Sequence, residues 1–153
     1  MEFKSLMIVM WFGMASCHIS ARSEESITRL ICNVDVTNRF ASGDSERTSE
    51  TIQLDIITNG PHVTILSSSD LSTIAISTKK IDQTLQTSNR SNNSQFFIHS
   101  TVRFPSGDRQ QQIMVDRVTR RMAYSDIPAP NSGGMSVSIV GVCKKFEGNK
   151  RQF

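Results

Sequence analysis

The chain has 153 residues and a formal net charge of +3, with 37% hydrophobic and 7% aromatic residues. This length allows one domain with a buried core and is too short for two domains of ordinary size. The charge excess is mild and no aromatic residues alternate with the basic ones, which excludes a typical nucleic-acid-binding surface.

An export signal is predicted at the N-terminus. A short charged start is followed by an apolar run from Leu6 to Met14 and by the small residues Ala15 and Ser16, which is the order of parts in a secretory signal. The run is too short to cross a bilayer, which takes roughly 20 apolar residues. We expect cleavage after Cys17 or Ala21, and take residues 1–21 as the signal.

The segment around Cys17 allows a second form of processing. Met14-Ala15-Ser16-Cys17 resembles a bacterial lipoprotein box, in which the cysteine becomes the lipidated first residue. One or two acyl chains there would anchor the domain, whereas cleavage alone would leave it free in the periplasm or secreted. We therefore predict an exported bacterial protein that contacts a membrane only if Cys17 is lipidated.

The remaining residues, 22–153, alternate apolar and polar side chains with a period of two, which predicts half-buried strands. A weaker alternation runs through Ile81, Gln83 and Leu85, and Asn59-Gly60-Pro61 and Pro105–Asp108 are predicted turns. Loops are predicted over Asn89–Ser94 and Ile127–Gly134. In chain order, the clearer strands cover Ile27–Thr37, Thr51–Ile57, His62–Leu66, Thr73–Thr78, Phe96–Phe104, Gln112–Val118, Met122–Tyr124 and Ser136–Cys143.

This pattern predicts an all-β fold. About eight strands follow one another through short connections with no helix between them, which is typical of a single antiparallel β-sandwich or small β-barrel. The two ends of the domain are polar, with an arm over Arg22–Ser26 and a basic tail from about Lys144.

A disulfide is predicted between Cys32 and Cys143. Both cysteines share the apolar phase of their strands, the first and the last, so a bridge needs those strands to be neighbours or to face each other across the core. It would close a loop of about 110 residues and stabilise the fold by about 4–5 kcal/mol on the chain-entropy model. The alternative is two separate buried thiols.

No catalytic or metal-binding motif is evident. His62 and His99 lie on different predicted strands with no cysteine to spare, so neither a metal nor a cofactor is predicted. The chain lacks a nucleophile elbow and a phosphate-binding glycine loop. Asp108 and Asp116 flank one hairpin, where solvated carboxylates are expected rather than an acid–base pair.

Two segments are candidates for contact with a partner. The hairpin turn that contains Ser106, Gly107, Asp108 and Arg109 presents small and charged residues. A basic group of Arg117, Arg120 and Arg121 suits an anion such as a lipid headgroup or an acidic groove of a partner protein. The alternative for this group is a solvated turn in which Asp116 partly neutralises Arg117.

The second half of the chain resembles a recurring type of small exported bacterial β-rich protein of unknown function. The resemblance runs from about Phe96 to Cys143 and rests on an Ile-x-Val-Asp-Arg-x-Thr strand, here Ile113–Thr119, and a closing Gly-x-Cys strand, here Gly141–Cys143. In such proteins a glycine commonly follows the threonine, where this chain has Arg120. The resemblance implies either a looser turn or an arginine with positive φ.

These features together predict a non-enzymatic binding or structural protein of the bacterial envelope. One alternative is an inhibitor of a partner enzyme such as lysozyme, which would use the loop Pro105–Gln110. Another is a carrier that holds a small apolar ligand against Phe96, Phe97 and Phe104. A hydrolase is the least favoured class, because nothing in the sequence brings a histidine and carboxylates together.

Overall fold

A computed structural model describes residues 25–68, 74–79, 83–130 and 132–146. All its regular structure is β, so the described residues include no helix able to cross a membrane. The strands are β1 (Ser26–Arg39), β2 (Ser45–Asn59), β3 (His62–Ser68), β4 (Ala75–Ser77), β5 (Thr84–Asn89), β6 (Gln95–Phe104), β7 (Gly107–Asp116), β8 (Arg121–Pro128) and β9 (Ser136–Lys145).

The predicted all-β fold is confirmed. The strands form one antiparallel sheet in the order β4-β3-β2-β1-β9-β8-β7-β6-β5, which curls into a nearly closed barrel. The strands other than β5 turn their apolar phase inward, as period-2 alternation predicts. The resulting core contains Cys32, Val34, Val36, Ile52, Leu54, Ile56, Val63, Ile65, Ile74, Ile76, Phe96, Ile98, Ile113, Val115, Met122, Tyr124, Ile139 and Cys143.

The first and last long strands are neighbours, and the predicted disulfide joins them. Cys32 lies directly opposite Cys143 in the β1–β9 register, with the two Cα atoms 3.9 Å apart. The Cys143 amide donates to the carbonyl of Arg120 on the β8 side. The cysteines therefore form a non-hydrogen-bonded pair, the position at which side chains on antiparallel strands approach most closely.

Gly141 lets β1 pack tightly against β9 beside the disulfide. Its register partner on β1 is Val34. A Cβ atom at position 141 would collide with the carbonyl oxygen of Asn33 and lie 2.9 Å from the Cα atom of Val34. Only a glycine fits between the strands here, so this residue and the bridge together define the β1–β9 contact.

The barrel has one seam without backbone pairing, between β4 and β5. Nine strands cannot alternate in direction all the way around a ring, so two neighbours must point the same way. Those two are β4 and β5, and parallel neighbours need a connection of about a dozen residues or more, which residues 78–83 do not supply. Side chains link the seam instead, with the Thr87 hydroxyl donating to the Ser77 carbonyl (3.2 Å).

Two details differ from the sequence prediction. There are nine strands rather than about eight, because the weak alternation near Leu85 does form a strand, β5. The predicted facing of its side chains is wrong, because Thr84 is buried and Leu85 is 40% exposed. A β-bulge between Thr84 and Gln86 adds one residue to β5 and shifts the facing of its side chains.

Several predicted features lie outside the described residues. These are the signal, Cys17, Ile81 and most of the basic tail. At the domain boundary, Ser26 belongs to β1 rather than to an arm, and Lys144 and Lys145 complete β9.

Loss of the disulfide is expected to lower the free energy of unfolding by about 4 kcal/mol, because the sequence separation of 111 residues makes the closed loop long. The test is urea denaturation of the oxidised protein, the reduced protein and the Cys32→Ala/Cys143→Ala variant. Reduction removes the bridge without removing side-chain volume and serves as the control. Equal stability of the oxidised and reduced forms would contradict the prediction.

Gly141→Ala is expected to lower the free energy of unfolding by about 1–3 kcal/mol, because the added methyl group must push β1 away from β9. Gly43→Ala provides a comparison, since its Cβ would meet nothing within 4 Å and only its positive φ of 94° opposes the change. Thermal unfolding of both variants measures the difference. A milder effect at Gly141 than at Gly43 would show that the strands do not depend on this close approach.

Candidate functional site

The structure separates the two predicted partner-facing segments. The turn at Ser106 precedes β7, and the turn that contains Arg117 and Arg120 follows it. The length of β7 between Asp108 and Asp116 corresponds to roughly 25–30 Å. The two segments therefore lie at opposite ends of the barrel, and the two aspartates cannot act as a pair.

The end that contains Ser106, called the loop end, has a polar interior. Arg109 points into the barrel and is only 18% exposed, with its Nε 2.7 Å from a carboxylate oxygen of Asp126. It also donates to the carbonyl of Met135 (2.7 Å), and Gln111 donates to the other Asp126 oxygen (3.3 Å). Burial, with a further contribution from Asp126, raises the pKa of Tyr124 above its usual range. This network ties the loop after β8 to the barrel wall, so Arg109 has a structural role.

The turn at the loop end is also packed against that loop. The Ala129 amide donates to the carbonyl of Asp108. An added Cβ at Gly107, which has a φ of 118°, would collide with the side chain of Ser132. Asp108 pairs with Arg103 at 3.2 Å. A groove of about 590 Å³ runs past these residues and is widely open to solvent.

Histidines and carboxylates do not converge in the described residues. His99 lies on the outer phase of β6 opposite Gln112, and His62 starts β3 at the exposed turn after Gly60. Within the described ranges no group of three or more histidine, cysteine, aspartate or glutamate side chains is arranged to hold a metal ion.

The opposite end, called the basic end, comprises the β7–β8 turn, the start of β1 and the end of β9. Asp116 shapes its turn by accepting hydrogen bonds from the amides of Val118 and Thr119, both at 2.8 Å. The bond from Thr119, then that from Val118, holds the pKa of Asp116 below its usual range, and the charge of Arg121 acts in the same direction. Asp116 thus stabilises the turn through hydrogen bonds to its backbone, and no ion pair between Asp116 and Arg117 is present among the described residues.

Arg117 stacks on an aromatic ring at the mouth of the barrel. Its guanidinium carbon is 3.8 Å from the centre of the Phe96 ring, a cation–π contact. The Arg117 amide donates to the carbonyl of Ser94, which fixes the turn against the start of β6. The cation is therefore held above the apolar interior.

Arg120 has a strained backbone. Its φ of 59° makes it the only non-glycine residue with positive φ in the described part of the chain. Of the two turn geometries that the resemblance allowed, the chain adopts the strained one. The left-handed region costs an ordinary L-residue about 1–2 kcal/mol, so an arginine there points to a use for its side chain.

These residues surround a pocket of about 330 Å³ that opens at the basic end. A volume of this size is at the lower limit for small-molecule sites. The inward phases of five strands form its walls, and the β7–β8 turn and the end of β9 supply the cations at its rim. The lining consists of Thr28, Leu30, Ile56, Phe96, Val115, Asp116, Arg117, Arg120, Cys143 and Lys145.

The pocket has an apolar floor and a cationic rim. The buried residues Ile56, Val115 and Cys143 form the floor, whereas the exposed residues Arg117, Arg120 and Lys145 lie at the mouth. Such a site suits a ligand with an apolar body and an anionic head, because the body displaces water from the floor and the head meets the cations.

Sequence reasoning found part of this site. It grouped Arg117, Arg120 and Arg121 as a candidate anion patch and named Phe96 as a possible ligand contact, and all of these except Arg121 line the pocket. It missed Lys145 and Leu30, which face each other in the β1–β9 register and both line the pocket. The inward-facing positions of β9 include Cys143 and, two residues later, Lys145. This alternation is the sequence signal that could have identified Lys145. Of the other aromatic residues proposed for a carrier, Phe97 is on the outer face and Phe104 lies at the loop end, opposite Gly107.

No known protein family, curated protein or solved structure matches this chain.

Arg120→Gly is expected to raise the free energy of unfolding by about 1 kcal/mol, because glycine adopts a φ of 59° without a Cβ clash. The hydrogen bond from Cys143 to the backbone carbonyl of residue 120 remains. Arg121→Gly, at an ordinary strand position next to it, is the control and should be destabilising. Urea denaturation measures both, and equal destabilisation by the two substitutions would show that the Arg120 side chain stabilises the fold.

Proposed function

We propose that this chain is an exported, non-enzymatic binding protein of the bacterial envelope that holds a small anionic amphiphile in the pocket at its basic end. The disulfide between Cys32 and Cys143 is compatible with an oxidising, exported location. The predicted export signal and the resemblance over Phe96–Cys143 favour the same location.

The observation that carries the proposal is Arg120 at the pocket rim with a positive φ. A glycine would form the same turn without strain, so a structural role for residue 120 does not account for an arginine. An anionic head within reach of Arg117, Arg120 and Lys145 would make charge-assisted hydrogen bonds, which are about twice as strong as neutral ones. The arginine at this site is best explained by such a ligand.

Other functions have less support. An enzyme inhibitor acting through Pro105–Gln110 remains a prediction, and Ser106 and Asp108 are the residues of that turn that a partner would meet. Arg109 is engaged with Asp126 and does not project from the turn. A hydrolase would need a histidine near two carboxylates, whereas His99 lies on the outer face of β6.

Decanoate is expected to bind this pocket and decanol to bind at least fivefold more weakly, because the alcohol lacks the charge that the rim cations attract. The measurement is a titration followed by NMR chemical shifts of the protein. Shifts should appear at Leu30, Phe96 and Val115, which line the pocket, and should be small at Ile127 at the loop end.

A matched pair of lysines gives the control. Lys145→Gln should weaken decanoate binding about fivefold, because Lys145 lines the pocket, whereas Lys144→Gln should leave it unchanged, because Lys144 has the outward phase. Both side chains are exposed, so both variants should fold. Equal affinity for decanoate and decanol, or equal effects of the two lysine variants, would refute the proposed function.

A further inference from the structure

Large apolar side chains are exposed around the mouth of the pocket. Val118, at the tip of the β7–β8 turn, is 77% exposed, and Val142, Ile27 and Phe146 are 58%, 51% and 44% exposed. They come from three separate segments that meet at the basic end, since Val142 pairs with Arg121 and the Phe146 amide donates to the carbonyl of Arg29. Exposed apolar residues from separate segments that lie together form a candidate contact surface.

Cations surround these apolar side chains. Arg117, Arg120, Arg121, Lys144 and Lys145 all lie at the basic end. Two of the described carboxylates there are engaged, Asp55 with Arg29 at 3.6 Å and Asp116 with the turn amides. The basic end is therefore a positively charged surface with an apolar centre.

The loop end has a different charge pattern. It mixes basic and acidic residues, and two of its arginines, Arg103 and Arg109, are in ion pairs. It also exposes the apolar residues Phe40, Ile127 and Met135, at 40%, 49% and 37%, among side chains of both charges. The two ends thus share exposed apolar residues, and the difference between them is the charge. The basic and acidic residues at the loop end are Arg39, Arg47, Arg103, Arg109, Asp44, Glu46, Asp108 and Asp126.

We propose that the basic end docks on the surface of an anionic lipid bilayer. Apolar side chains that enter the headgroup region, with arginine and lysine meeting the phosphates, are the two contributions that hold proteins at a membrane surface. This proposal goes beyond the ligand-binding function, because docking needs no ligand in the pocket. Docking in this orientation places the pocket mouth against the headgroups.

The path of the chain supports the same orientation. β1 begins at Ser26 at the basic end, and Cys17 lies nine residues before it in the sequence. A lipid on Cys17 would therefore attach to the chain segment that enters the domain at the end that carries the cations. Stable anchoring takes two signals, such as one acyl chain and a basic surface, and this arrangement would supply both.

The test is sedimentation with phosphatidylglycerol-containing vesicles and with pure phosphatidylcholine vesicles. It uses the oxidised domain from Arg22 to Phe153, the predicted mature chain, which carries neither the apolar run Leu6–Met14 nor a lipid on Cys17. Binding should require phosphatidylglycerol and weaken as salt is added, because salt screens the attraction between the basic side chains and the anionic headgroups. Val118→Ser and Arg121→Gln should each lower the partition coefficient about fivefold.

Matched substitutions at the loop end are the controls. Ile127→Ser and Arg47→Gln remove an exposed apolar and an exposed basic side chain there and should leave vesicle binding unchanged. Equal binding of all four variants, or binding that does not depend on phosphatidylglycerol, would overturn the docking proposal. Decanoate affinity reports on the pocket separately, because Val118→Ser leaves the pocket lining intact and Lys145→Gln alters it.

Discussion

The pairing of β1 with β9 is the contact on which the rest of the structure depends. It joins the two ends of the domain through a ladder, a close approach at Gly141 and the bridge between Cys32 and Cys143. Contacts between residues so far apart in sequence carry a large loop-closure cost, and a covalent link lowers that cost in the unfolded chain. Without this pairing the strands would form two separate sheets, of four and five strands, with β1 and β9 as long unpaired edges that invite association with other chains.

This closure also determines where the barrel is open. Because the number of strands is odd, closing the ring at β1 and β9 leaves two parallel neighbours, β4 and β5, that the short connection cannot pair. The Thr87 hydroxyl and the amide of Asn89 bridge the gap to Ser77 and Pro61. The proposed binding site lies elsewhere, at the mouth beside the disulfide, where β1, β9, β8 and β7 form an unbroken run of paired strands.

The two barrel ends use their charged residues differently. At the loop end Arg109 is buried against Asp126 and holds a loop in place. At the basic end the Arg117 guanidinium stacks on the Phe96 ring, and Arg120 adopts a positive φ that is unfavourable for a non-glycine residue. Neither arginine forms an ion pair with a carboxylate among the described residues. A buried pair is satisfied within the fold, whereas cations held in place without a counterion attract an anion from outside. The same residue type therefore has a structural role at one end and a proposed binding role at the other.

The sequence alone determined the fold class, most strand positions and the disulfide, because alternation with a period of two records which face of each strand is buried. It also marked Arg120 as unusual, since a turn residue where glycine is expected is visible without coordinates. Only the tertiary structure decided which residues share a site. It placed the Arg109 and Arg117 segments at opposite ends, turned Arg109 inward, brought Lys145 beside Leu30, and reversed the facing of Leu85 through a bulge. These outcomes depend on strand order and register, which arise from contacts between distant segments and leave no local signal in the chain.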